Sequence, residues 1–152
     1  MTQNDEILLR PAMLFAFLKA LPLLTLAITF LLLAWCLSLY FILFSLVVCG
    51  FAWYRLLYIR SFKYQITAEY ILLTQGIFFK RIDQLELFRV KDYIITQSFI
   101  MQICKLMYLT LKSTDAENAI IRFQGIPESN IIETIRERVL EARKSNNIYE
   151  LN

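Results

Sequence analysis

The stretch Lys63–Arg81, KYQITAEYILLTQGIFFKR, decides how the second part of the chain folds. Its first residues alternate between apolar and polar types, with Tyr64 and Ile66 on the apolar side. This period of two is typical of a strand with one buried face. The polar triplet 67–69 is short enough for a hairpin turn, and an apolar run follows it. The stretch therefore predicts a pair of antiparallel strands.

The same pattern continues along the chain and predicts about seven short strands in all. Gly76 stands between two apolar runs, where we expect it to supply a positive φ for a turn or bulge. The polar segment Ser113–Asn118 predicts another turn, and Phe99–Lys105 predicts a single helical turn. The predicted strands cover residues 62–66, 70–74, 77–80, 85–89, 93–97, 108–112 and 119–123.

The spacing becomes helical between Pro127 and Lys144. Apolar residues recur there every three or four positions and form one stripe that must pack against another element. We expect this helix to cover the open mouth or one face of the strand set, and the tail 145–152 to be frayed. The stripe consists of Ile131, Ile132, Ile135, Val139 and Leu140.

The residues before the strands are of another kind. Of the 152 residues, 58% are hydrophobic, and the excess is concentrated in the uncharged segment Ala20–Tyr54. As one helix this segment would reach about 52 Å, against about 30 Å of hydrocarbon, and it is too long for a signal peptide. Two spans are therefore predicted, near Phe15–Ala34 and Leu39–Tyr58, with a turn at Trp35–Ser38. One long tilted helix, or a re-entrant segment, is the alternative.

The charges around this segment predict its orientation. The turn has no charge, whereas Arg10, Arg60 and Lys63 flank the two spans. Lys19 and Arg55 lie near the span ends, where their side chains can snorkel to the interface. Because segments rich in Lys and Arg remain in the cytoplasm, both termini are expected on the cytoplasmic side.

The composition argues against catalysis. The chain contains no histidine, so neither a Ser–His nor a Cys–His pair can form. Its three cysteines, Cys36, Cys49 and Cys104, are widely spaced and predict neither a disulfide framework nor a zinc site. Carboxylates such as Glu133 and Glu137 fit a solvated helix face. We therefore predict a protein that is not an enzyme and has no metal and no cofactor.

Hydroxyl side chains inside the apolar segment do not change this view. At such positions hydroxyls usually bond to the backbone of their own helix. We therefore do not predict an enzyme that acts within the membrane. They are Thr25, Thr29, Ser38 and Ser45.

Several short motifs follow one another along nearly the whole chain. They are Arg10-Pro11, Tyr64-Gln65-Ile66-Thr67, Gly76, Leu85 to Val90, Gln97-Ser98 and Gln124-Gly125-Ile126-Pro127. In this order, after two spans and before a last helix, they resemble the bacterial pleckstrin-homology-like (bPH2-type) membrane proteins. The chain departs from the family at one place. Members often carry Gly-x-Gly before the late hairpin, where this chain has Cys104-Lys105-Leu106-Met107.

The resemblance implies a membrane α-helical hairpin, residues 1–60, followed by an all-β pleckstrin-homology-like domain, residues 61–152, with a C-terminal helix. In that fold two antiparallel sheets pack as a sandwich or partly open barrel. The resemblance also implies a multi-pass protein of the bacterial inner membrane. Family roles centre on membrane-associated assembly and on contact with lipids or partner proteins.

The charge distribution indicates a surface for membrane lipids. Residues 55–112 carry nine basic and four acidic side chains, whereas residues 113–152 carry five and seven. A basic surface beside anionic headgroups gains about 1 kcal/mol per Lys or Arg. In eukaryotic relatives of this fold, basic residues near the first strands bind phosphoinositides; only Lys63 and, more loosely, Lys80 and Arg81 occupy comparable places here. The sequence favours another interpretation over a dedicated headgroup pocket, namely that the charges only set the orientation of the chain in the membrane. The candidate lipid contacts are Arg60, Lys63, Lys80, Arg81, Arg89 and Lys91.

The segment 99–107 is more apolar than a connector should be. Exposed, it would mark an interface or dip into the bilayer; folded under the helix, it would be core. We expect half of it to be core, and Phe99 and Met101 to contact a protein partner. A net charge of +3 is too small for a nucleic-acid surface, so no nucleic-acid partner is expected.

These features together predict a non-catalytic membrane adaptor. Its cytoplasmic domain would bind an unidentified membrane-associated protein or associate with itself as a homo-oligomer. The alternative is a sensor of anionic lipid headgroups that uses the basic face.

Overall fold

The computed structural model describes residues 6–115 and 118–145, so all of the predicted frayed tail except Ser145 lies outside the described residues. The strands are β1 Ile7–Leu9, β2 Lys63–Ile66, β3 Tyr70–Gln75, β4 Arg81–Glu86, β5 Val90–Thr96, β6 Leu106–Ser113 and β7 Ile120–Pro127. The helices are α1 Met13–Cys36, α2 Phe41–Arg60, α3 Phe99–Ile103 and α4 Ile131–Ser145, and a 3₁₀ turn covers Leu87–Arg89.

The two long helices form a hairpin. The chain turns at residues 37–40, two positions later than predicted, and this break excludes a single long helix. Small buried side chains, among them Ala20 and Ala27, bring the helices close together. The Ser45 hydroxyl donates across the hairpin to the Ala27 carbonyl at 2.9 Å, so it does not bond to its own helix as expected. The hydroxyls of Thr25 and Thr29 do donate to their own helix.

The strands form two antiparallel sheets, with the orders β1-β2-β3-β4 and β5-β6-β7. The number seven agrees with the prediction for the described residues, but the membership differs. The predicted strand Ile77–Lys80 is wrong, because these residues form the loop between β3 and β4. The seventh strand is β1, in which Leu9 lies opposite Tyr64 of β2. The helical hairpin is therefore inserted between two paired strands of one sheet.

The core lies between the two sheets. Leu109, Leu111 and Phe123 are fully buried, as their alternation predicts. Tyr64 joins the sheets: its ring centroid lies 4.6 Å from that of Phe123, and its hydroxyl accepts a hydrogen bond from the Gln124 N–H at 3.0 Å. Burial raises the pKa of Tyr64 to about 12, and the hydrogen bond from Gln124 only partly opposes this effect.

Helix α4 packs against this core, as its apolar stripe predicts. The prediction is wrong for Leu140, which is exposed and does not belong to the buried stripe. Ala142 takes its place, one turn after Val139 on the same face. Near the end of the helix, the Arg143 guanidinium donates to the Val90 carbonyl at 2.7 Å. The buried face consists of Ile131, Ile135, Val139 and Ala142.

Candidate functional site

We call the end of the strand domain at which α1 begins and α2 ends the helix-proximal end. There the Ala12 N–H donates to the Gly125 carbonyl at 2.9 Å. The buried ring of Phe15 packs edge-on against Tyr108, with centroids 5.5 Å apart. These contacts come from the start of α1, from β6 and from β7. They hold the hairpin directly against the second sheet.

The loop between β3 and β4 lies beside the end of α2. Gly76 has a φ of 105°, as its position predicts, and its N–H donates at 3.2 Å to the hydroxyl of Ser61, the residue after α2. A β-carbon at residue 76 would collide with the Phe79 carbonyl, so the turn requires glycine. The turn leaves Phe78 and Phe79 81% and 93% exposed. Two neighbouring aromatic residues therefore project from the helix-proximal end.

Four of the six predicted lipid contacts surround this loop. Arg60 is the last residue of α2, and Lys63 begins β2 opposite Thr74. Lys80 ends the loop, and Arg81 begins β4 opposite Gln75. All four side chains are exposed. The structure thus gathers four cations at one end of the first sheet.

The other two predicted contacts lie at the opposite end. β4 runs away from the helices, and the Leu87 N–H donates to the Glu69 carbonyl in the turn between β2 and β3. Arg89, in the 3₁₀ turn there, lies 2.7 Å from the Glu86 carboxylate and 3.6 Å from that of Asp115. Lys91 follows it at the start of β5. These two residues cannot share one flat surface with the other four.

Helix α3 divides the apolar segment in two. Met101 is 4% exposed and packs with Leu106 and Phe15, so the expected protein contact at Met101 is not available at the surface. Phe99, in contrast, is 77% exposed. The exposed apolar side chains of this helix, Phe99, Ile100 and Ile103, form what we call the α3 patch. Because Met101 contacts Phe15 of α1, the patch also lies at the helix-proximal end.

The departure from the family motif has a visible consequence. Lys105 lies between α3 and β6 with a φ of 51°, a left-handed conformation that glycine adopts more easily. Its carbonyl still accepts a hydrogen bond from the Glu128 N–H at 2.9 Å. The backbone thus keeps a glycine-like turn where this chain has a lysine.

Sequence reasoning missed the exposure of Phe78 and Phe79 by assigning them to a strand. One signal was present: two adjacent apolar residues of a strand cannot both face one core. As for a metal, residues 6–115 and 118–145 contain no group of three or more Cys, Asp or Glu side chains that could hold one.

The comparisons with known proteins agree with this architecture. The family model described as bacterial PH domain matches residues 13–143, which include both long helices and β2 to β7. No curated protein and no solved structure matches the chain. The match covers well over half of the sequence, and the two sheets with their closing helix have the expected form. The chain therefore belongs to the bacterial PH domain family.

Proposed function

We propose that the protein is a non-catalytic adaptor, anchored in the bacterial inner membrane, whose PH-like domain assembles proteins there. The observation that carries this proposal is the insertion of the helical hairpin between β1 and β2, which pair from Ile7–Ile66 to Leu9–Tyr64. Because both ends of the hairpin belong to one sheet, the domain is not on a flexible linker. A fixed orientation suits a surface that must meet other membrane proteins.

The helices support membrane anchoring. Both are long and apolar enough to cross a bilayer. In the most apolar 18-residue stretch of each helix, only 17% (α1) and 11% (α2) is buried. The core helix of a soluble protein would be mostly buried. The cations at their shared end, Arg10, Arg60 and Lys63, support a cytoplasmic location for both termini.

The helix-proximal end has the side chains expected of a surface that rests on a leaflet. Phe78 and Phe79 project beside the end of α2, and Lys80 and Arg81 follow them directly. Exposed apolar rings can dip into a bilayer, and nearby cations attract anionic lipids. This arrangement favours the second candidate function, a sensor of anionic lipids, and it is compatible with the adaptor.

The α3 patch is the surface that we assign to the protein partner. Its three large apolar side chains are exposed at the helix-proximal end, next to α1. A partner that covers them must itself lie at the membrane. It is therefore either a membrane-associated protein or a second copy of this chain.

Site-specific photocrosslinking in intact cells tests this assignment. A photoreactive residue at position 99 of the full chain is expected to give a discrete adduct with a protein or with a second copy. The same residue at position 141, on the exposed face of α4, is the control and should give none. At position 78 we expect lipid adducts. Lipid adducts alone at position 99 would overturn the adaptor and leave the lipid sensor as the better function.

A further inference from the structure

A cavity of about 700 Å³ opens where the two long helices meet the second sheet. Lys19 of α1 and Arg55 of α2 both line it. The other lining residues are mainly aromatic and aliphatic, such as Phe51 and Tyr54, and none is a carboxylate. The cavity therefore combines two cations with an apolar wall.

Two smaller cavities extend this one in opposite directions. On the sheet side, a cavity of about 340 Å³ shares Lys19 and Gln124 with it and adds Arg122 together with threonine and tyrosine side chains. Along α2, a cavity of about 380 Å³ shares Phe51 with it and adds Gly50. Because neighbouring cavities share lining residues, we treat the three as one path with a polar, cationic end and an apolar end. This distribution of polar and apolar surface matches an amphiphilic ligand.

The cations on this path are not paired with a carboxylate of the described residues. Lys19 Nζ lies 5.8 Å and 6.0 Å from the ring centroids of Phe15 and Tyr108. Within the described part of the chain, neither Lys19 nor Arg55 nor Arg122 makes an ion pair with a carboxylate. Charges grouped in this way favour an external anion.

We infer that this path binds one anionic glycerophospholipid. Its phosphate lies beside Lys19 and Arg55, the rest of its headgroup points toward Arg122, and an acyl chain follows α2 past Gly50. A zwitterionic headgroup fits less well, because its own cation would be held among three cations. The inference rests on the proposed function in one respect, since it requires the hairpin to be in a bilayer.

The depth of the cations agrees with this occupant. Lys19 precedes the hairpin turn at Leu37 by a helical distance of about 27 Å, and Arg55 follows Tyr40 by about 23 Å. Both distances approach the hydrocarbon thickness of about 30 Å. The two charges therefore lie near the headgroup level, while Gly50 and Phe51 lie at acyl-chain depth.

Native mass spectrometry of the full chain in a mild detergent tests the inference. After incubation with phosphatidylglycerol, we expect one retained lipid, and much less retention of phosphatidylcholine. Replacing both cations, Lys19→Met with Arg55→Leu, should lower phosphatidylglycerol retention about tenfold or more. Lys112→Met, at an exposed position outside the cavity, is the matched control and should change nothing.

A second variant separates lipid binding from misfolding. A β-carbon at Gly50 would meet no heavy atom within 4 Å, and Gly50 lines the apolar part of the path, so Gly50→Leu extends an apolar side chain into it. It should lower lipid retention while leaving the charge and the thermal midpoint unchanged.

Equal retention of phosphatidylglycerol by the parent and by the variants would overturn the inference, as would equal retention of phosphatidylcholine. Displacement of the lipid by glycerol phosphate alone would show an anion site without an acyl-chain site, and would also overturn it. A protein that is integrated in the membrane but shows no lipid selectivity contradicts only this inference. A protein that is not integrated contradicts the proposed function as well.

Discussion

The ring of Phe15 in α1 occupies the space that a β-carbon on Gly125 in β7 would fill. Gly125 has a φ of 59°, and its carbonyl accepts the hydrogen bond from Ala12 just before the helix. This contact joins the first helix to the last strand. It adds to the pairing of β1 with β2 in holding the hairpin against the domain.

We expect Gly125→Ala to lower the free energy of unfolding by about 2–4 kcal/mol, because the methyl group overlaps the Phe15 ring and the left-handed backbone disfavours a side chain. Denaturant titration of the full chain in detergent measures this. Gly50→Ala is the control: space is open around Gly50, so it should be neutral or stabilising by up to about 1 kcal/mol. Equal stability of the Gly125→Ala variant and the parent would show that the contact is not tight.

At residue 105 the opposite test is possible, because a side chain there can be replaced by glycine. Because its backbone is left-handed, Lys105→Gly should raise the free energy of unfolding by up to about 1 kcal/mol. Lys105→Val should lower it, since a β-branched side chain is disfavoured there. The order Gly, Lys, Val in thermal midpoint is the expected result. A glycine variant that melts below the parent would contradict the glycine-like turn.

The sequence predicts the parts of this fold that depend on local pattern. Alternation placed Leu109 and Leu111 in the core, and helical spacing placed Ile135 there. Local pattern could not predict β1, because its partner β2 is separated from it in the sequence by the whole hairpin. Nor could it predict which cations meet, because Lys19 and Arg122 share a cavity only through the packing of α1 on the second sheet. Long-range contacts of this kind leave no period in the sequence.

A tryptophan placed in the β3–β4 loop should detect lipid contact through its fluorescence. We expect the emission of Phe78→Trp to shift to shorter wavelength in nanodiscs that contain phosphatidylglycerol, because the ring enters the interface. The shift should shrink at high salt and with Lys80→Gln and Arg81→Gln added. The parent, which has Trp35 and Trp53 alone, supplies the baseline. Identical spectra in anionic and neutral nanodiscs would argue against the lipid-sensor function.

The N-terminal strand should be needed for the domain to fold. A fragment that begins at residue 61 lacks β1 and exposes the edge of β2, so we expect it to aggregate or to lack a cooperative transition. Joining Arg10 to Lys63 through a two-residue Asn-Gly turn, in place of the hairpin, keeps the Leu9–Tyr64 pairing. This version should be soluble and melt cooperatively. If the shorter fragment melts as well as the joined one, β1 is dispensable.

Tyr64 should make the stability of the domain fall at high pH. Its pKa is raised from 10 in the unfolded chain to about 12 in the folded one, because burial disfavours the phenolate. The folded state therefore holds the proton more tightly. This contribution is complete below pH 10 and is lost as the pH rises through about 12, a difference of about 3 kcal/mol.

Comparison with Tyr64→Phe isolates this effect, because the two proteins differ only in this one phenol hydroxyl. At neutral pH the variant should be less stable by about 1 kcal/mol, since the Gln124 N–H loses its acceptor. Between pH 10 and 12 the parent should lose stability faster, so the gap in thermal midpoint closes or reverses. Parallel curves over this range would mean that Tyr64 ionises as an exposed phenol does, and that the two sheets do not enclose it.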